Sequence, residues 1–250
     1  MANTIQQRII ESLAPACDGL EIKDVRIGLG YSSVRLSNDN VGVAWTAEEK
    51  SANCTHITEA GSIAGRPASN VLEMLNGSNG ALGRTLGLAT ANALVAGLPQ
   101  PQKTEEDFID LINIGPEDEV VMVGFFGPVI PKLKKTGCVL NILELNPSKP
   151  NTIPSSEGKG FLASCSVAII TSTSIITNTF DELITQLGNP RAVIMLGPSS
   201  IMYPEVFTGT PVTHVGGSKV LNGEAIERIV SEGGGTMIMK KHLRFETIVL

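Results

Sequence analysis

The feature that most constrains this chain is a series of short, almost unbroken apolar runs beginning at Val120. Val120–Phe126, Val139–Leu145, Val167–Ser172, Ala192–Leu196 and Val212–Val215 are rich in Val, Ile and Leu and show no apolar–polar alternation. A strand with one wet face alternates, whereas a strand covered on both faces does not, which is the condition inside a parallel sheet flanked by helices. The segments between the runs have the lengths that βαβ crossovers need. Thr179-Phe180-Asp181-Glu182 has a capping-box pattern and opens a helix expected to reach Leu187. A second helix is expected over Gly223–Ser231, stopped by Gly233-Gly234-Gly235, and Met237–Val249 supplies a last strand or strand pair. The expected class is α/β, with a Rossmann-like, mainly parallel sheet in this half.

The first 98 residues follow a different grammar. Ile5, Ile9, Ile10 and Leu13 mark one face of an amphipathic helix capped by Asn3 or Thr4. Ile22–Leu29, Tyr31–Leu36 and Val41–Trp45 read as strands, the last two joined by the turn Ser37-Asn38-Asp39-Asn40. Pro67 opens a short helix, and a longer one runs from about Ala81 to Ala96. The small residues Gly83, Gly87, Ala89, Ala91 and Ala93 let other elements approach its backbone closely. Leu98-Pro99-Gln100-Pro101-Gln102 is the best linker in the chain, with Thr104 the expected cap of the short helix that follows. Two domains are expected: a smaller α+β domain over 1–98 and the Rossmann-like domain over 99–250.

Composition excludes several function classes. The net charge is −6, and the basic runs Lys132-Leu133-Lys134-Lys135 and Lys240-Lys241-His242-Leu243-Arg244 lie among apolar residues. Nucleic acid, which needs clustered cations, is not expected as a partner. No segment approaches the ~18 uninterrupted apolar residues that span a bilayer, and the start lacks a basic region followed by an apolar core. Cys17, Cys54, Cys138 and Cys165 include no C-x-x-C pair, which suits reduced thiols in a cytoplasmic protein. Self-association into a homo-oligomer is left open.

Several motifs carry chemical potential. Gly124-Phe125-Phe126-Gly127-Pro128 ends the first buried strand, and Glu144 follows Gly124 by twenty residues, the offset of a ribose-binding acid in dinucleotide folds. The pattern is not G-x-G-x-x-G, and Pro128 removes one donor. Thr171-Ser172-Thr173-Ser174 and Asn178-Thr179 place hydroxyls and an amide after the third strand. Gly197-Pro198-Ser199-Ser200 and Val215-Gly216-Gly217-Ser218 follow the next two. Four Gly-rich or polar turns are thereby expected at the carboxyl edge, where open α/β sheets bind ligands. Cys54-Thr55-His56 with Glu59 is the only clustering of thiol, imidazole and carboxylate, without a second Cys or His pair nearby. His214 reads equally as a cleft residue or as the end of a strand. No nucleophile elbow and no P-loop occur.

Five stretches come in an order that resembles a known family: Val41-Gly42-Val43-Ala44-Trp45-Thr46, Gly87-Leu88-Ala89-Thr90-Ala91-Asn92-Ala93, Val123–Pro128, Thr171–Thr179 and Gly197-Pro198-Ser199. The resemblance is to the putative heavy-metal-chelation family, domain of unknown function 364, and covers nearly the whole chain. It implies an enolase-N-terminal-like domain followed by a Rossmann-like domain, with a ligand site in the cleft between them. Thr46, Cys54 and Asn92 would then reach that site from the first domain.

The expected function is binding of a small polar or anionic molecule, held by turn amides, Thr171, Ser172 and Asn178, with Glu144 accepting hydroxyls. The cofactor expected is a metal ion, a metal chelate or a nucleotide-like molecule. Two alternatives stand beside it: a nucleotide- or S-adenosylmethionine-dependent transferase, and a direct metal binder through Cys54 and His56.

Overall fold

The computed structural model describes residues 3–47, 57–99, 101–146 and 149–250. In the first part, α1 (Ile5–Leu13) starts at Thr4, whose hydroxyl accepts the Gln7 N–H at 3.3 Å. The strands β1 (Ile22–Ile27), β2 (Tyr31–Leu36) and β3 (Val41–Trp45) form an antiparallel meander in the order β1-β2-β3. The helices α2 (Ala68–Leu72) and α3 (Gly80–Ala96) follow. The small residues of α3 act as expected. A Cβ on Gly42 would overlap the Ala89 carbonyl oxygen and the Ala93 nitrogen, so β3 lies directly on the helix backbone.

After the linker, α4 (Phe108–Ile112) is capped by Asp107, which accepts the Ile109 N–H at 3.1 Å. Thr104 is not that cap. Its backbone exchanges hydrogen bonds of 3.0 and 2.8 Å with Thr247, near the end of the chain. Then come β4 (Glu119–Val123), α5 (Ile130–Thr136), β5 (Val139–Glu144), β6 (Ile153–Pro154), α6 (Lys159–Ser164) and β7 (Val167–Thr171). The remainder is α7 (Thr173–Ile176), α8 (Phe180–Thr185), β8 (Ala192–Leu196), β9 (His214–Val220), α9 (Gly223–Ser231), α10 (Thr236–Met239) and β10 (Leu243–Val249).

These seven strands form one sheet in the order β10-β9-β8-β7-β4-β5-β6. All neighbours are parallel except β10, which runs antiparallel to β9. The chain builds outward from β4 through β5 to β6, then restarts at β7 and builds the other way. The order reverses between β4 and β7, which makes that pair the switch point of a Rossmann-like sheet. The buried-run reading of the sequence is therefore correct, with three local differences. The fifth run becomes His214–Val220, so Gly216 lies inside β9 and not in a turn. Met237–Val249 yields a four-residue helix and a single strand. Thr179 makes no capping bond; its hydroxyl meets that of Thr177 at 3.0 Å, and Asp181 instead receives the Ile5 N–H.

The two faces of the large sheet bury different partners. Val120, Met122, Val167, Ile169, Ala192 and Ile194 face a core closed by Phe108, Ile109 and Ile112 of α4 and Leu133 of α5. Val121, Val123, Ala168, Ile170, Val193 and Met195 join a core that continues into Ile5, Ile9, Leu36, Leu72 and Leu86. The meander's second face is closed in turn by α9, through Val41, Val43, Ile226 and Val230. There Arg35 donates to both Glu227 oxygens, at 2.8 and 2.7 Å, and the carboxylate holds the guanidinium still more firmly protonated than a free arginine.

Candidate functional site

Strand register lines up one row of residues across the carboxyl edge. Val123 stands opposite Leu143 on one side and Ile170 on the other. The next positions, Glu144, Gly124 and Thr171, are therefore neighbours, and the row continues to Leu196 and Gly216. With about 4.8 Å between strands, the Glu144 and Thr171 backbones are about 10 Å apart. Gly124 sits between them without a side chain, at φ +96°, and a Cβ there would come within 3.0 Å of the Thr171 Cβ. The result is a slot one strand wide, walled by a carboxylate and a hydroxyl. By the alternation of strand side chains it opens on the α4 and α5 face.

The turn above the slot is rich in unsatisfied donors. Gly124 donates to Leu143 O at 2.8 Å, but the N–H groups of Phe125, Phe126 and Gly127 find no acceptor among the described residues. Pro128 costs none of these three. Both rings of the turn are half-buried and lean apart. Phe125 lies under the Lys149 ammonium, 5.3 Å from its ring centroid, and Phe126 approaches Gly197, which has φ +133°. The Thr171 hydroxyl meets that of Thr173 at 3.0 Å. Glu144 turns one oxygen, Oε1, back onto the N–H groups of Leu145 and Asn146, at 2.7 and 3.1 Å.

Other residues expected at the site are engaged elsewhere. Ser199, only 1% exposed, accepts the Trp45 N–H on Oγ at 2.9 Å. Its carbonyl accepts from Asn92 at 3.2 Å, and Asn92 also donates to Val43 O at 3.0 Å. Asn92 and Ser199 are thus a polar seam joining β3 and α3 to the turn after β8. Thr46 bonds to the Ser32 hydroxyl at 2.9 Å. Ser172 is buried, donates to Leu196 O at 3.1 Å and touches the Ser200 hydroxyl, while Gly216 O accepts from Gly197 and Ser200. Asn178, at φ +59°, accepts from Gln6 of α1 at 3.0 Å. Of the expected residues, the structure gathers Gly124, Phe125, Gly127, Glu144, Thr171 and Gly197 into one place. The first part of the chain packs on the sheet's other face, so the slot is not a cleft between the two parts. Phe126, Thr173 and Lys149 complete its surroundings; Phe126 and Thr173 belong to motifs the sequence already marks, whereas no local signal points to Lys149.

The opposite edge of the sheet is closed. Asp118, at the foot of β4, accepts from Arg191 at 3.0 and 2.7 Å, from Ser166 at 2.8 Å and from Gly115 N–H at 3.0 Å. The guanidinium beside it holds its carboxyl well below the usual range. Every oxygen of Asp118 has a partner, so this edge is a clamp across β4, β7 and β8. His214 also lies at this edge, bonded through Nδ1 to Thr213 at 2.8 Å, with burial lowering its pKa.

Comparison with known proteins fits this architecture. A family model for domain of unknown function 364, described as putative heavy-metal chelation, matches residues 107–249. The chain belongs to this family. A second model with the same description, domain of unknown function 4213, matches residues 10–95. Among solved structures, a DUF364 family protein of unknown function from Pyrococcus horikoshii is 22% identical with a TM-score of 0.86, covering 99% of this chain and 100% of that one. A DUF364 family protein from Desulfitobacterium hafniense is 20% identical with a TM-score of 0.77, covering 98% and 99%. An uncharacterized Methanocaldococcus jannaschii protein is 22% identical over 245 residues, 94% of this chain and 93% of its own length.

The family description raises metal binding, and the DUF364 slot does not fit a bare heavy-metal ion. Its donors are hydroxyls, amides and one carboxylate, without the thiolate or imidazole that soft ions prefer. Among the described residues no group of three His, Cys, Asp or Glu side chains is placed to hold a metal. Burial pushes the Cys17 and Cys165 thiols up to about 11, which keeps them protonated near neutral pH. Cys54 and His56 lie outside the described residues. No helix among the described residues is long and apolar enough to cross a membrane.

Proposed function

We propose that this member of the family binds a small polar or anionic organic molecule in the slot between Glu144 and Thr171. The observation that carries the reading is the contrast between the two sheet edges. At the amino edge the polar groups of Asp118 are all paired, whereas at the switch point the consecutive N–H groups of Phe125, Phe126 and Gly127 have no acceptor among the described residues, beside a slot floored by the Gly124 backbone and bounded by the Thr171 side chain. Phe125 and Phe126 are half-buried and Gly127 is exposed; half-buried backbone donors without protein partners are met by a ligand or by water. A metal enters this reading as part of a chelate, its organic frame held by the slot. The free thiols of Cys17, Cys138 and Cys165 support a cytoplasmic setting.

A thermal-shift screen tests the proposal. At 100 times its dissociation constant a ligand adds about 2.7 kcal/mol, several degrees in a chain of this size. Polycarboxylates, nucleotides, pterins, tetrapyrroles and S-adenosylmethionine are to be compared with divalent metals alone. A shift that Thr171→Val reduces supports the slot. A shift seen only with metals, and lost in Cys54→Ser, would overturn it in favour of direct metal binding.

A further inference from the structure

We infer that the molecule held at the slot is a ribonucleotide, its vicinal ribose hydroxyls received by Glu144 and its phosphoryl group by the Phe125–Gly127 amides. The inference rests on the slot being a ligand site and adds the class of ligand. Its first support is the state of the Glu144 carboxylate. Two backbone N–H groups hold Oε1, so the side chain is fixed in place by its own strand end. Oε2 has no hydrogen-bond partner among the described residues and keeps both lone pairs. An ionised carboxylate only accepts hydrogen bonds, and it repels anions. It therefore selects hydroxyl groups on the part of the ligand that reaches β5.

The second support is the opposite demand one strand away. The Phe125, Phe126 and Gly127 amides, without an acceptor among the described residues, only donate, and the Lys149 ammonium beside Phe125 adds positive charge there. A ligand that satisfies both sides carries paired hydroxyls about one strand spacing, roughly 5 Å, from an anionic group. A 5′-ribonucleotide has that arrangement, and a simple carboxylate, inorganic phosphate or bare metal ion does not. The third support is topological. Glu144 ends the strand beside the glycine turn, on the side away from β7, in a sheet whose order reverses at β4 and β7. General experience of such sheets puts the ribose-binding acid at this location. The rings of Phe125 and Phe126 supply apolar surface for a base. This chain lacks G-x-G-x-x-G, so the phosphoryl group is assigned to turn amides and not to a helix end.

Isothermal titration of the full chain with the 5′-monophosphates of adenosine, guanosine and uridine, their 2′,3′-dideoxy counterparts and inorganic phosphate tests this. At least one ribonucleotide is expected to bind, and its dideoxy counterpart at least tenfold more weakly. Glu144→Gln keeps an oxygen for the Leu145 and Asn146 amides, so its unliganded melting temperature should match the parent. It should weaken the ribonucleotide tenfold or more while leaving the dideoxy form unchanged. Equal binding of the ribo and dideoxy forms, an unaltered affinity in Glu144→Gln, or no binding of any nucleotide overturns the inference. Binding of phosphate or a polycarboxylate that still depends on Thr171 leaves the slot standing without the diol. Nucleotide binding indifferent to both Glu144→Gln and Thr171→Val overturns the slot as well.

Discussion

At the scale of single residues, the account turns on Gly124. Its φ of +96° is one that side-chain-bearing residues rarely adopt, and a Cβ there presses on Thr171. Gly124→Ala is expected to cost about 1–2 kcal/mol in urea unfolding and to abolish the ligand response, since the methyl fills the slot. An equally stable variant with full ligand response would contradict the geometry. Ser199 makes a different prediction. Its buried hydroxyl accepts the Trp45 N–H, and Trp45 is the chain's only tryptophan. Ser199→Ala should cost about 1–3 kcal/mol by leaving that N–H unpaired, with a change in tryptophan emission reporting the seam directly. Asp118 sets the acid limb. Its pKa is depressed in the folded state, so its stabilisation is present above the ordinary aspartate range and is lost as pH falls through and below it. Asp118→Asn should flatten that part of the stability–pH curve, and an unchanged acid limb would show the clamp to be unimportant.

At the scale of elements, α9 and β3 decide how the two parts of the chain fit. Gly42 lets β3 lie on the backbone of α3, and replacement by Ala forces the sheet off the helix. Gly42→Ala should lose about 3 kcal/mol, or leave the protein insoluble. The elements themselves were largely legible in the sequence, because buried parallel strands write continuous Val and Ile runs and α3 writes a run of small residues. What the local pattern does not carry is who covers whom. The α9 residues Ile226 and Val230 show an amphipathic helix, but nothing near them tells that their partners are Val41 and Val43. The same limit explains the site. Gly124, Glu144 and Thr171 were found because a strand end and a twenty-residue offset are local signals, and register then makes them neighbours. Ser199 is expected at the ligand because it lies in a polar turn after a buried strand, and Asn92 because the family resemblance implies it. Their pairing spans 107 positions, so only the fold reveals it as a seam. Thr179 had the capping sequence, yet Asp181 was drawn away to α1.

At the scale of the whole molecule, one apolar core runs from α1 through the meander's inner face into the large sheet, and α9 returns from the far end of the chain to close the meander's outer face. The parts on either side of the division expected near residue 98 share this core. A fragment of residues 1–98 exposes Val41, Val43 and the surface of α1, and should show no cooperative unfolding alone. Mixing or co-expression with 99–250 should restore it, and a fragment that melts cooperatively by itself would contradict the shared core. This arrangement puts the first part behind the sheet and leaves the switch-point slot facing solvent on the α4 and α5 side. The most direct measurement of that claim is a crystal structure of the protein with a ligand drawn from the thermal-shift screen. Density lying over Gly124, between Glu144 and Thr171 and against the Phe125–Gly127 amides, is the predicted result. Density in the seam of Trp45, Asn92 and Ser199, with the slot filled only by solvent, would contradict it.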